Sequence, residues 1–136
     1  SGSAPIKAAG RGETTIGIVF MHDAVKQAVK GFPVKVVAPA EGTGYEIGSM
    51  SIIDGARNMK EAKAFYDWAL SADAQNLALE VNAFQVPSNT GAKTSASAPD
   101  MSTIKLIDYD FKTYGSSATR KRLLKKWDDE VSVLAQ

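Results

Sequence analysis

The sequence predicts an α/β fold, because short apolar runs rich in β-branched residues alternate with segments of helical periodicity. Residues 14–21 have the pattern of a buried strand, residues 24–30 have apolar positions at helical spacing, and residues 34–38 repeat the strand pattern. Gly31 and Pro33 end the helical segment between the two strands. A strand, a helix and a second strand in this order predict a parallel unit with a right-handed crossover.

A short helix precedes this unit and a glycine-bearing loop follows it. Ser1 or Ser3 can cap the first helix, and Pro5 suits its first turn, before Gly10 and Gly12 end it. The loop lies at residues 41–46. The elements expected further along are a strand at residues 47–53, helices at 59–70, between Ser71 and Asn82 and at 117–134, and a long surface loop at 88–99.

Composition excludes several classes of function. The 136 residues carry 16 Lys and Arg against 15 Asp and Glu, so a formal charge of +1 gives no electrostatic reason to expect nucleic acid as a partner. The absence of cysteine excludes disulfides and cysteine-ligated metals, and a single histidine excludes a multi-histidine site. No apolar run approaches the roughly 20 residues of a membrane span. No signal-peptide pattern occurs in the sequence either.

The first candidate site is Ser1-Gly2-Ser3, at the start of the first helix. Backbone N–H groups and small hydroxyls at a helix N-terminus can bind phosphate, phosphonate or carboxylate. The alternative is an ordinary helix cap or a remnant of cloning.

The second candidate site is His22-Asp23, expected just after the strand at residues 14–21. Ligands of open α/β sheets bind outside the carboxyl ends of strands, and these side chains can hydrogen-bond to hydroxyls there. The alternative is that Asp23 caps the following helix and His22 is solvated.

The third candidate is the loop Thr43-Gly44-Tyr45-Glu46. Its glycine would allow close backbone approach, Tyr45 offers a ring for stacking, and Glu46 could bind hydroxyls or an ammonium group. A plain turn between strands is the alternative. A basic helix face at residues 120–126 lacks interleaved aromatic residues and is expected to be a solvated face.

Catalysis has little support in the sequence. Neither a Gly-x-Ser-x-Gly elbow nor a phosphate-loop motif occurs. Asp23 and Glu46 could act as a base in a small hydrolase or isomerase of a phosphorylated compound, but no motif specifies this chemistry. We therefore expect a binding protein, with no catalytic residues, no resident metal and no cofactor.

Four runs along the chain resemble those of one protein family. They are Ser1-Gly2-Ser3-Ala4-Pro5, Gly12-Glu13-x-x-Ile16-Gly17-Ile18, Gly42-Thr43-Gly44-Tyr45-Glu46-Ile47-Gly48-Ser49 and Gly55-Ala56-Arg57-Asn58. In this order they resemble the C-terminal portion of bacterial periplasmic substrate-binding proteins of ABC transporters. The resemblance is to the branch that binds ferric iron, phosphorylated sugars or phosphonates. The segments at residues 60–75 and 87–89 look like the same family.

The resemblance implies the C-terminal part of a type II periplasmic-binding-protein fold, in which two α/β lobes close on a ligand. Residues 1–44 would form part of the second lobe, residues 45–56 a crossing strand region, and residues 57–136 the C-terminal helices and loop that brace the lobes. It implies a periplasmic, non-enzymatic protein that delivers a small anionic solute to an ABC permease in the inner membrane. Because members are more than twice this length, the missing N-terminal part of the same protein or a second copy is a further expected partner.

Residues 21–24 bear on the ligand class. Iron-binding members carry adjacent tyrosines here, whereas this chain has Met21-His22-Asp23-Ala24. An anion at Ser1-Gly2-Ser3, with its hydroxyls bonded by His22, Asp23 and Glu46, favours a phosphorylated sugar or related organophosphate. Fe(III) is the alternative ligand. A sensor domain that reuses the fold is an alternative to a transporter component.

Overall fold

A computed structural model of the chain describes residues 2–135. The helices in chain order are α1 (Ala4–Gly10), α2 (Met21–Val29), α3 (Met59–Ala69), α4 (Ala72–Glu80), α5 (Phe111–Tyr114) and α6 (Ser117–Lys126). A π-helical turn (Trp127–Val131) and a 3-10 turn (Ser132–Ala135) follow α6. The chain divides into two compact units, Ser1–Lys105 and Leu106–Gln136.

The segments predicted as strands are irregular in the part of the chain that the structure describes. Residues 15–19, 35–38 and 47–52 make no backbone hydrogen bonds. A strand is held by a neighbour about 4.8 Å away, and residues 2–135 supply none to these segments. The prediction of formed strands is therefore wrong for this chain by itself. The predicted boundaries after residues 44 and 56 separate the second lobe, the crossing strand region and the C-terminal helices of a longer protein. These boundaries stay predictions.

α1 ends in a Schellman motif, which fixes the direction of the chain beyond it. Gly12 has φ +76°, a left-handed conformation that suits glycine. Its N–H donates to Ala9 O (3.0 Å), and the N–H of Glu13 donates to Ala8 O (3.0 Å). Arg11 donates to Glu13 Oε1 at 2.6 Å, and this hydrogen bond lowers the pKa of the Glu13 carboxyl.

The core of the first unit is small. Its buried hydrophobic side chains are Ile6 of α1, Ala24 and Val25 of α2, and Phe84. The chain exposes 10764 Å², whereas two separate compact bodies with the masses of the two units would expose only about 8,000 Å² in total. Apolar surface that a complete domain would bury is therefore accessible.

The loop after α4 is tied to the α3–α4 connection by side-chain hydrogen bonds. Asn89 Nδ2 donates to Leu70 O (2.7 Å), and the N–H of Asn89 donates to Gln75 Oε1 (3.0 Å). Asn89 Oδ1 in turn accepts from the N–H of Gly91 (2.8 Å). A second tie joins the N–H of Lys93 to Asn76 Oδ1 at 2.7 Å. The predicted loop is present, and its first part is anchored.

The second unit does not contain the single continuous helix that was predicted over residues 117–134. Ser116 caps α6 by accepting from the N–H of Thr119 (3.2 Å), as Asp110 caps α5. After Lys126 the backbone changes to a π-helical turn, and Trp127 at its start is 57% exposed. No helix within residues 2–135 is both long and apolar enough to cross a membrane.

Replacing Asn89 by alanine removes its side-chain bonds to Leu70 O and to the N–H of Gly91, while the bond from its own N–H to Gln75 stays possible. Each net hydrogen bond contributes about 1 kcal/mol, so we expect about 1–2 kcal/mol less free energy of unfolding for N89A in urea denaturation. Amide exchange at residues 89–93 should accelerate. The control T90A alters an exposed side chain in the same turn and should change stability by less than about 0.5 kcal/mol. Equal stability of the two variants would contradict the anchoring role of Asn89.

Candidate functional site

The predicted anion site lies at the N-terminus of α1, and Ser1 is outside the described residues. Ser3 is the N-cap residue, and its carbonyl accepts from the N–H of Lys7 at 3.3 Å. The Ser3 side chain is half-buried and makes no capping hydrogen bond to the helix. Gly2 is exposed, so the chain before the helix is accessible to a ligand.

Gly17 brings the segment before α2 against the first turn of α1. A Cβ at position 17 would lie 2.8 Å from Pro5 O and 3.2 Å from the backbone N of Ile6. Only a residue without a side chain permits this backbone-to-backbone approach. The contact therefore holds the chain that leads to His22 beside the helix that carries Gly2 and Ser3.

His22 and Asp23 lie in the first turn of α2. The expectation that they precede the helix is wrong, because α2 begins at Met21 with Phe20 as its N-cap. The alternative in which Asp23 caps the helix is wrong for the same reason. Both side chains are half-buried, and the His22 ring stacks on Phe20 with centroids 5.6 Å apart and an interplanar angle of 13°.

The position of Asp23 has an electrostatic reason. Carboxylates are favoured near the positive end of a helix, and Asp23 is the acidic residue in the first turn of α2. Its own N–H donates to Phe20 O at 3.0 Å, so its backbone is fixed while its carboxylate can accept hydrogen bonds. A carboxylate at this position repels a second anion and can accept hydrogen bonds from the hydroxyl groups of a ligand.

The loop Thr43–Glu46 is held by a backbone hydrogen bond at its first residue, and the side chains at its end are exposed. The N–H of Thr43 donates to Lys105 O at 2.9 Å. A Cβ on Gly44 would meet nothing within 4 Å in the described part of the chain, and the close approach of its backbone to a ligand stays a prediction. Tyr45 is 41% exposed and Glu46 is exposed.

The predicted site residues His22, Asp23 and Glu46 share no hydrogen bond with one another in the described part of the chain. Gly17, four residues before α2, lies against the first turn of α1. Within residues 2–135, no three His, Cys, Asp or Glu side chains cluster closely enough to hold a metal ion.

Three positioning residues were missed by the sequence-based reasoning about the site: Gly17, Phe20 and Lys105. Gly17 carried a usable signal, because an isolated glycine in a β-branched run indicates a close backbone approach. Phe20 is the aromatic residue nearest His22 in sequence, but stacking requires the helix to begin at Met21. Lys105 had no signal, since it acts through its carbonyl from a distant part of the sequence.

A methyl group at position 17 should force α1 and the following segment apart. Overpacking against backbone costs about 1–3 kcal/mol, so we expect G17A to lose this much free energy of unfolding in urea denaturation. G44A is the matched control, because its added methyl group meets open space. Exchange of the α1 amides should accelerate in G17A and stay unchanged in G44A. A G17A variant as stable as G44A would contradict the close approach.

Known proteins match almost the whole chain. It is 46% identical over 134 residues to an uncharacterized protein of Haemophilus influenzae (strain ATCC 51907 / DSM 11121 / KW20 / Rd), covering 98% of this chain and 39% of that protein. A solved structure of the periplasmic binding protein AfuA from Actinobacillus pleuropneumoniae, with exogenous fructose-6-phosphate bound, is 49% identical with a TM-score of 0.84. That match covers 96% of this chain and 41% of AfuA.

A second solved structure, of the periplasmic binding protein P5PA, is 42% identical with a TM-score of 0.80 and covers 93% of this chain and 40% of P5PA. No protein-family model matches the chain. The chain thus spans about two-fifths of the length of the proteins it matches. The chain is similar to the C-terminal portion of periplasmic binding proteins, the resemblance that its motifs predict.

Proposed function

We propose that the chain is part of the solute-binding component of an ABC importer, and that the ligand is a phosphorylated sugar or related organophosphate. The observation that carries this proposal is the contact of Gly17 with the first turn of α1. The contact supports the proposal because it holds the segment that leads to His22 and Asp23, which suit hydroxyls, against the first turn of the helix whose N-terminus suits an anion. The 49% identity to a binding protein with fructose-6-phosphate bound supports the same ligand class.

The phosphate is assigned to the start of α1, at Gly2 and Ser3, together with Ser1. Amides of the first helical turn have no acceptor inside a helix, and a phosphate oxygen can accept from them. Since α1 has only seven residues, its dipole is weak, and we expect hydroxyl and amide hydrogen bonds to contribute more than the dipole.

The sugar hydroxyls are assigned to His22, Asp23 and Glu46. A carboxylate accepts hydrogen bonds from hydroxyls and repels phosphate, so Asp23 orients the ligand with its hydroxyls toward α2. Glu46 is exposed and reaches the same ligand only if the ligand bridges the two sites or the lobes close on it. Tyr45 contributes an apolar ring face, and Thr43 holds its loop in place through Lys105.

Residue types and the matched structures favour an organophosphate ligand over the two alternatives, which are Fe(III) binding and a hydrolase or isomerase. Fe(III) is a hard ion, and residues 21–24 lack the tyrosine pair of iron-binding members. A hydrolase or isomerase needs a base beside the reacting atom. No motif in the chain specifies such a base, and the matched solved structures are of periplasmic binding proteins.

A periplasmic location and delivery to an inner-membrane ABC permease are part of the same proposal. They are supported by the two periplasmic binding proteins that the chain matches. The permease would contact the complete two-lobed protein.

Binding can be tested in a chimera in which these residues replace the matching 41% of the A. pleuropneumoniae protein. We expect the chimera to bind fructose-6-phosphate in calorimetric titration. The variants D23N and E46Q should each bind at least tenfold more weakly, because a hydrogen bond to a charged group contributes about 1.5–3 kcal/mol. D73N is the control, since Asp73 lies in the first turn of α4 and is exposed. Normal binding by both D23N and E46Q would refute the hydroxyl assignment.

The phosphate assignment has a separate test in the same chimera. Ser3→Ala should weaken binding of fructose-6-phosphate about tenfold and leave any weak binding of unphosphorylated fructose unchanged, because the phosphate is the part of the ligand assigned to Ser3. Ser97→Ala, in the exposed loop, should bind like the unaltered chimera. A chimera that binds Fe(III) and no organophosphate would refute the ligand class, and recovery of a chemically altered ligand would favour the enzyme alternative.

A further inference from the structure

Phe20 occupies the N-cap position of α2, where a phenylalanine is an unfavourable residue type. N-cap positions favour Ser, Thr, Asp and Asn, because their side-chain oxygens accept from free amides of the first helical turn. Phe20 has an extended backbone (φ −64°, ψ 137°) and makes no side-chain capping hydrogen bond. The stability of α2 therefore does not explain the residue at this position.

The ring of Phe20 stacks on the imidazole of His22. The ring centroids are 5.6 Å apart and the ring planes differ by 13°. Nearly parallel rings at this separation are offset, an arrangement that the aromatic quadrupoles favour over a face-to-face sandwich. Within residues 2–135, neither ring nitrogen of His22 makes a hydrogen bond. The stack is therefore the directional contact that orients the imidazole.

The carbonyl group of Phe20 fixes the backbone of Asp23. It accepts hydrogen bonds from the N–H of Asp23 at 3.0 Å and from the N–H of Ala24 at 3.3 Å. In the described part of the chain, no hydrogen bond or ion pair occupies the Asp23 carboxylate. Phe20 thus holds both groups at the start of α2 that are assigned to ligand hydroxyls, one through its ring and one through its carbonyl group.

The stack leaves the nitrogen edge of His22 available to a ligand. A neutral imidazole has one donor and one acceptor, and both lie in the ring plane. Because Phe20 fixes this plane, the directions of the donor and the acceptor are fixed as well. Hydroxyls that bind His22 and Asp23 must then match a set spacing, and a sugar with one hydroxyl inverted leaves a polar group unpaired.

We propose that Phe20 is a positioning residue that sets the selectivity of the hydroxyl site among phosphorylated sugars. It acts through His22, and this inference rests on the proposed function of His22 and Asp23. Without the Phe20 ring the imidazole can rotate, so more side-chain entropy is lost when a ligand binds. A rotating imidazole also accepts hydroxyls of more than one configuration, so selectivity falls together with affinity.

Calorimetric titration of the chimera with fructose-6-phosphate and with the 6-phosphates of psicose and tagatose tests the proposal. The last two sugars invert one hydroxyl of fructose each, at C3 and C4. We expect F20L to weaken binding of the preferred sugar phosphate about three- to tenfold, the range of an aromatic pair. The ratio of its affinity to that of the least favoured epimer should fall at least about twofold. F20Y keeps a ring and should restore both values.

Phe65 of α3 provides the matched control. Its ring lies 5.6 Å from that of Trp68, so F65L removes an aromatic pair of the same centroid separation outside the site. Both phenylalanines are more than half exposed. F65L should bind all three sugar phosphates like the unaltered chimera. Any binding of inorganic phosphate should be equal in F20L and the unaltered chimera, because this probe carries no sugar hydroxyls.

The stack has a spectroscopic signature in the chain itself. His22 is the single histidine, so the imidazole gives one set of NMR signals. The ring current of Phe20 shifts the carbon-bound imidazole protons. These signals should move toward the positions of a free histidine in F20L and stay in place in F65L. F20Y should keep them close to those of the unaltered chain.

The outcomes separate failure of this inference from failure of the proposed function. Normal affinity and selectivity in F20L, together with weaker binding by D23N, would overturn the role of Phe20 and leave the proposed function standing. Unmoved His22 signals in F20L would also overturn it. Equal losses for inorganic phosphate and sugar phosphates would show a general structural defect instead of positioning. A chimera that binds no sugar phosphate would refute the proposed function and this inference with it.

Discussion

The backbone of Gly17 lies against the carbonyl of Pro5, and the arrangement of the first unit depends on this contact. It fixes the distance between α1 and the segment that leads into α2. Because this approach leaves no room for a Cβ, its geometry is set by backbone atoms, which cannot adjust as a flexible side chain can. The residues proposed for the phosphate precede α1, those proposed for the hydroxyls follow Gly17 in the chain, and Gly17 itself lines a cleft of about 420 Å³.

α1, α3, α4 and the start of α6 were predictable because their determinants are local, whereas α5 was not expected. Ser71 caps α4 through its Oγ, Ser116 caps α6 in the same way, and Gly12 ends α1 with a positive φ. Each of these signals lies within a few residues of the helix end it determines. The first residue of α2 was missed because Phe20 is an N-cap without a capping side chain.

The strands were predictable as patterns and are not formed in the structure, for one physical reason. Residues 15–19 have the composition of a buried strand, but a strand requires hydrogen bonds from another part of the chain. Composition indicates which residues suit a sheet and carries no information on whether the neighbouring strand is present. The α/β class is therefore supported by the 49% identical solved structure, and the helices dominate in the chain by itself.

The candidate site was predictable in its residue types and less so in its geometry. His22 and Asp23 are neighbours in sequence, so their proximity needed no fold. Their placement inside the first turn of α2, and the stacking of His22 on Phe20, could be deduced only once it was known that α2 begins at Met21. The distance from Glu46 to Asp23 depends on chain closure over more than twenty residues, which no local pattern specifies.

The short path from Gly17 to His22 has a thermodynamic consequence. The contact of Gly17 with Pro5 restricts the backbone that enters α2, so part of the entropy cost of ordering His22 and Asp23 is met when the chain folds. A ligand held by these two side chains would then lose less of its binding free energy to ordering the protein.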